Sequence, residues 1–215
     1  TSLMTLFDGE QESGQAGESV TSPHVPRAFV SSSRLAMHHS DPQRWTILYR
    51  VLWRLTHGEP GLMEVRIDRD VARLHAMEAE VRRESHKAKA FVRFRKVVGE
   101  DGSEHFIAWH RLDHPVLPHI APFFVDRFAS MRWTILTPRG SMSWDLEQLH
   151  HGPACGREQA PDHDELEVLW KTYYRAIFNP ARIKIAAMMS EMPQKHWPTM
   201  PETEIIRELL REAPD

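Results

Sequence analysis

Apolar residues in this chain recur with two different periods. Between Asp41 and Gly58 the period is helical: Trp45, Leu48, Leu52 and Leu55 form one line, and Ile47, Val51 and Trp53 widen it. A helix apolar on most of its sides is expected at the centre of a fold. Asp41 can accept from the free amides of the helix start, Pro42 suits a first turn, and Gly58-Glu59-Pro60-Gly61 reads as the helix-breaking turn. A second helix is predicted from Asp68 to Lys87, with Val71, Leu74, Met77 and Val81 as its buried arc. The period then changes to two. Val92 and Phe94 alternate with Arg93 and Arg95, a strand with one apolar and one basic face. Gly99-Glu100-Asp101-Gly102 predicts a hairpin turn, and His105 to His110 the returning strand.

The same order repeats more loosely. Val116 to Phe128 is apolar at helical spacing, with Pro118 and Pro122 expected to kink or shorten it. Met131 to Thr137 and Ser141 to Leu146 read as strands joined by Pro138-Arg139-Gly140. Helices are predicted over Glu165 to Phe178, from Asn179-Pro180 through Ile185, Met188, Met189 and Met192, and over Glu202 to Arg211. The expected fold is α+β: two antiparallel β-hairpins, about four strands in one sheet, packed against several helices. Residues 1–25 are rich in Ser, Gly, Glu and Gln without an apolar period, which predicts a flexible lead-in to a single domain over residues 26–215.

Charge adds the most distinctive signal. The formal net charge is −3, yet Arg82 to Lys96 carries seven fixed cations against Glu84 alone. Segregated positive charge on a neutral-to-acidic body suits a polyanion such as DNA. The candidate phosphate contacts are Arg69, Arg73, Arg82, Arg83, Lys87 and Lys89 from the helix, with Arg93 and Arg95 from the strand. Contacts of this kind grip the backbone without reading bases. Among them stands His86, the candidate general base or phosphate ligand, because neighbouring cations favour its neutral form.

Other chemistries find less support. His110, Asp113, His114 and His119 are close in sequence, but Pro115 interrupts them, and the group reads as a turn with Asp113 as helix cap. His38-His39 and His150-His151 lack a carboxylate at ligand spacing, so no metal site and no cofactor are expected. Cys155 is the one cysteine and reads as a loop thiol, which excludes a disulfide framework and fits a reducing cytoplasm. No nucleophile elbow, dinucleotide fingerprint or phosphate loop is present. No apolar stretch approaches the roughly 20 residues that span a bilayer. In the tail, prolines flank His196-Trp197 and hold an extended segment, with Trp197 expected as a packing anchor.

Several strings together resemble one bacterial family. They are His39-Ser40-Asp41-Pro42-Gln43-Arg44, Leu48 to Leu55, Arg82 to Arg95, Ala121 to Phe128, Met131 to Pro138, Leu169 to Tyr174 and Ile177 to Arg182, continuing into the proline–tryptophan tail. The family is the domain described as a probable DNA metabolism protein, and the likeness covers about residues 26–213. Such domains occur beside a radical-SAM DNA-repair partner or fused ahead of a UdgX-type uracil-DNA glycosylase. The resemblance therefore implies a repair setting and those partners, and it supplies no catalytic residues. His196 and Pro198 depart from it, standing where a tyrosine and a basic residue are expected. Relatives usually carry a further N-terminal segment, so the chain reads as truncated or as a shortened member.

Overall fold

A computed structural model describes residues 25–99, 101–159, 190–200 and 203–204. Two helices open the described chain, α1 (Arg27–Ala36) and α2 (Arg44–Thr56), and a 3₁₀ turn at Leu62–Glu64 leads to the long α3 (Arg69–Phe91). β1 (Arg95–Val98) and β2 (Glu104–Trp109) follow, then α4 (Leu117–Arg127), β3 (Trp133–Thr137), β4 (Gly140–Trp144) and β5 (Leu149–Gly152). A second 3₁₀ stretch spans Gln194–Thr199.

The 23 residues of α3 join two cores. Its first half supplies Val71, Leu74 and Met77 to a helical cluster with Phe29 and Ala36 of α1 and with Ile47, Val51 and Leu55 of α2. Its second half supplies Val81 and Ala88 to a cluster under the sheet, with Ile120 and Phe124 of α4, Trp133 and Ile135 of β3, and Met142 of β4. Asp68 starts the helix as expected: its carboxylate accepts the backbone N–H groups of Asp70 and Val71, two of the donors a helix start leaves unmet.

The sheet is mixed, in the order β1-β2-β3-β4-β5. Both expected hairpins are present: β1 pairs antiparallel with β2, and β3 with β4. The central pair β2–β3 is parallel, with Phe106 opposite Trp133. That direction requires a crossover, and α4 supplies it. At the first turn, Gly102 sits at φ 76° and donates its N–H to the Gly99 carbonyl at 2.9 Å. The fifth strand, β5, carries His150 and His151 antiparallel to β4.

Four sequence expectations change. The chain is already helical at Arg27, where no helix was expected. α3 runs on to Phe91, so Arg93 lies before β1 rather than within it. Pro118 fits the first turn of α4, and Pro122 lies inside a helix that still runs from Leu117 to Arg127. Most tellingly, α2 is not central. It buries Ile47, Val51 and Leu55 and leaves Trp45, Tyr49, Leu52 and Trp53 exposed, because α3 covers only one of its faces. The predicted helix over 165–178, most of the one that ends at Met192, all of the one over 202–211 except residues 203–204, and the lead-in before residue 25 lie outside the described residues.

Candidate functional site

One cleft of about 240 Å³ gathers much of the chemistry on α3. Glu80, Arg83, Glu84 and Lys87 recur at three- and four-residue spacing and so share one helix face. Opposite them stand Asp113 and His114, from the loop between β2 and α4, and Pro193, Lys195 and His196 from the tail.

The carboxylates in this cleft are already engaged. Buried Glu84 receives the backbone N–H of Asp113 at 2.7 Å and that of His114 at 2.8 Å, one on each oxygen. Asp113 pairs with Lys195, and that hydrogen bond holds its carboxyl below the usual range despite partial burial. Lys195 also lies 3.6 Å from Glu84. The expected helix cap at Asp113 is thus replaced: Val116 occupies the N-cap position of α4. Lys87 donates to a neutral group, the Ser190 carbonyl, at 3.3 Å. Arg83 is exposed and makes no hydrogen bond or ion pair among the described residues.

Beneath this rim lies a pair of stacked imidazoles. His110 and His196 are each about 1% exposed, with ring centroids 4.7 Å apart and planes 3° from parallel. None of their four ring nitrogens has a hydrogen-bond partner among the described residues. Burial, followed by the charges of His196, Lys195 and Arg93, holds His110 down to about 3. Burial, followed by Lys195 and Lys87, holds His196 at about 4. Both rings are therefore neutral at physiological pH.

A third group, His39, Glu80 and His114, converges from the α1–α2 loop, α3 and the β2–α4 loop. Three such ligand types suggest a cation, but the hydrogen bonds oppose it. His39 Nδ1 accepts the backbone N–H of Asp41 at 3.0 Å, and His114 Nδ1 accepts that of Ser40 at 3.1 Å. A backbone amide can only donate, so each neutral ring carries its hydrogen on Nε2. Both Nε2 atoms face the same Glu80 oxygen, at 3.0 Å from His39 and 3.9 Å from His114. A metal on Nε2 would need the opposite tautomer. The His39 hydrogen bond is the main cause keeping Glu80 ionised below its ordinary range. The group acts as a clamp that ties two loops to α3.

The sequence-predicted cations disperse into distinct settings. Arg73 bonds Asp41 at 2.8 Å, and Arg82 pairs with Glu78 one turn earlier. Lys89 lies over the Phe123 ring at 5.3 Å, and Arg93 donates to the Ala90 and Val92 carbonyls at 2.7 and 3.3 Å. Arg69 is exposed at the first turn of α3, and Arg95 is half-buried in β1. Only Arg83 and Lys87 of the predicted set line the cleft. His86 is exposed on α3 and does not line it. Of the predicted histidine group, only His114 reaches the Glu80 clamp; His110 faces His196, and His119 stacks obliquely on His38. His150 does have a carboxylate partner, Asp145 at 2.6 Å. Trp197 is buried and donates to the Met192 carbonyl at 3.0 Å, as a packing anchor should.

Sequence reasoning missed Glu80, Lys195 and the pairing of His110 with His196. The one local hint was the spacing of Glu80 and Glu84, four residues apart on a helix face that also carries Arg83 and Lys87.

The family model for DUF4130, a domain of unknown function, matches residues 42–202. The chain belongs to this family. No curated protein and no solved structure matches it. The matched span takes in every element that lines the cleft, from α3 to the Pro193–His196 segment. Among the described residues, no helix is long and apolar enough to cross a membrane.

Proposed function

We propose that this DUF4130 domain is a DNA-binding accessory module in repair, gripping the phosphate backbone at and around the α3 cleft. The observation that carries this reading is Arg83: an exposed guanidinium with no partner among the described residues, one turn from Lys87 and across the cleft from Lys195. The carboxylates beside these cations are occupied by backbone amides, by Lys195 and by imidazoles, which leaves donor capacity facing outward. Fixed donors of this kind hold a phosphate chain without reading its bases. The resemblance to domains found beside radical-SAM repair proteins or fused to UdgX-type glycosylases supports the repair setting and such a partner.

The test is fluorescence anisotropy with single- and double-stranded oligonucleotides over a range of salt. Neutralisation of about two phosphates by Arg83 and Lys87 predicts a log–log salt slope near −2 on duplex DNA. Arg83→Glu combined with Lys87→Glu should abolish most of the binding. Wild-type affinity in that double variant would refute the proposal.

A further inference from the structure

The outward face of α2 takes no part in the cleft. Trp45, Tyr49 and Trp53 stand one turn apart on it, each at least half exposed, with Leu52 beside them. Among the described residues, α2 packs against α3, α1 and the Leu62–Glu64 turn, which cover the opposite side where Ile47, Val51 and Leu55 are buried. With roughly 150–250 Å² on each aromatic side chain, the four residues leave about 400 Å² of mostly apolar surface in water. Single exposed apolar residues are ordinary, but a contiguous patch of this size commonly marks an interaction site.

The polar groups around the stripe narrow the choice of partner. α2 carries Arg44, Arg50 and Arg54 and no carboxylate. Arg50 pairs with Asp70, and Arg54 pairs with Glu59 at 2.7 Å and Asp68 at 2.9 Å. Arg44 donates to the Met37 and Asp41 carbonyls and lies over the Trp45 ring at 4.7 Å. The face is therefore aromatic surface bordered by satisfied cations and the carboxylates that balance them. That border selects neither a polyanion nor an acidic peptide. The stripe also has a symmetry of its own, because Trp45 and Trp53 lie four residues to either side of Tyr49. Half a turn about an axis through Tyr49 lays the stripe on itself in reverse. A two-fold interface needs such a patch, one that is complementary to itself.

We infer that α2 is a homodimer contact, in which two copies pack antiparallel across a two-fold axis at Tyr49, with Trp45 of each against the partner's Trp53. Beside the ridge of Trp45, Tyr49 and Trp53 runs a row of shorter side chains, Leu48, Leu52 and Thr56. Ridges of four-residue spacing that seat in such grooves cross at about −50°. Taken as the core of an interface about 65% apolar, the patch buries about 600 Å² per copy and about 1,200 Å² in the pair. That is the lower end of specific interfaces, so the dimer is reversible, with a Kd on the order of 10 μM. No α2 residue lines the cleft, so the contact stands apart from the DNA reading.

The experiment is analytical ultracentrifugation of the full chain from about 1 μM to about 300 μM, a range that brackets this Kd. The mass should rise from one chain toward two. Tyr49→Arg sets like charges against each other on the axis and should weaken association at least about tenfold. Trp45→Glu and Trp53→Lys, each alone, bury an unpaired charge and should do the same. Mixed in equal amounts, these two variants should associate again, because the new carboxylate then faces the new ammonium. Both charges suit the helix end at which they fall. Melts at about 1 μM, where the monomer prevails, should match wild type and show that every variant folds. A chain that stays monomeric throughout overturns the inference, whatever else covers the stripe. Association that Tyr49→Arg leaves unchanged overturns it too, by placing the contact on another face. Failure of the mixture to recover overturns the antiparallel pairing.

Discussion

Glu84 accepts the backbone N–H of His114 at 2.8 Å, with its other oxygen on the amide of Asp113. A buried carboxylate in the middle of a cationic helix thus serves the loop that enters α4, with Lys195 3.6 Å away. Removing it strands two backbone donors, the buried one of His114 and the part-buried one of Asp113. Glu84→Ala should lower unfolding free energy by about 2–4 kcal/mol, and Glu84→Gln, which keeps one acceptor oxygen, should fall between. Urea denaturation measures both. A loss below about 1 kcal/mol for the alanine variant would show that the loop does not depend on this clamp.

The buried imidazoles make stability depend on pH in a defined direction. His110 is held at about 3, against 6.5 for an ordinary histidine. Below 6.5 the unfolded chain takes up a proton that the folded ring refuses. The contribution is therefore complete above that pH and is lost as pH falls toward the folded value. Replacing His110 with Leu should flatten the stability profile between about pH 6 and pH 4 by up to about 1.4 kcal/mol per pH unit. Denaturation series for the two proteins over that window decide it. Equal slopes would mean that the ring is protonated in the fold.

Glu80 provides a test of tautomers. His39 and His114 each point an N–H at its carboxylate because their other nitrogens accept backbone amides. An excess of Zn²⁺ should leave the melting temperature unchanged, while Glu80→Ala should cost about 1–3 kcal/mol. A zinc-dependent rise in melting temperature that vanishes in Glu80→Ala would mean that the rings turn over to bind metal.

The exposed face of α2 should tolerate polar substitution. Tyr49 is 67% exposed and Trp45 52%, so Tyr49→Ser and Trp45→Ser should each change stability by less than about 0.5 kcal/mol. Leu74 of α3 is fully buried between α1 and α2, and Leu74→Ala should cost about 2–5 kcal/mol. Thermal melts of the three variants separate the covered face from the uncovered one.

Leu146 sits at φ 89° in the turn between β4 and β5, a left-handed conformation that costs a side chain about 1–2 kcal/mol. The residue is 42% exposed, so little burial is lost on trimming it. Leu146→Gly should therefore leave stability unchanged or raise it by up to about 1 kcal/mol in a denaturant titration. A clear loss would show that its partial burial outweighs the backbone strain.

What the sequence determined by itself was local. Val71, Leu74, Met77 and Val81 specify the buried face of α3 because helical spacing brings them to one side wherever the helix lies. Asp68 marks the start of that helix because an N-cap needs only the next three residues. Both hairpins follow from a turn between alternating strands. What only the tertiary structure decided was pairing between distant segments. An apolar helix can bury any of its faces, and α3 chose one, leaving Trp45, Tyr49 and Trp53 of α2 outside. The parallel union of β2 and β3 required α4 to return the chain across the sheet. The cleft depends on the same kind of contact: the tail carries Lys195 and His196 back to α3 and His110. No periodicity in a linear sequence records which histidine another will meet, because that encounter is fixed by the docking of whole elements and not by the chemistry of neighbours.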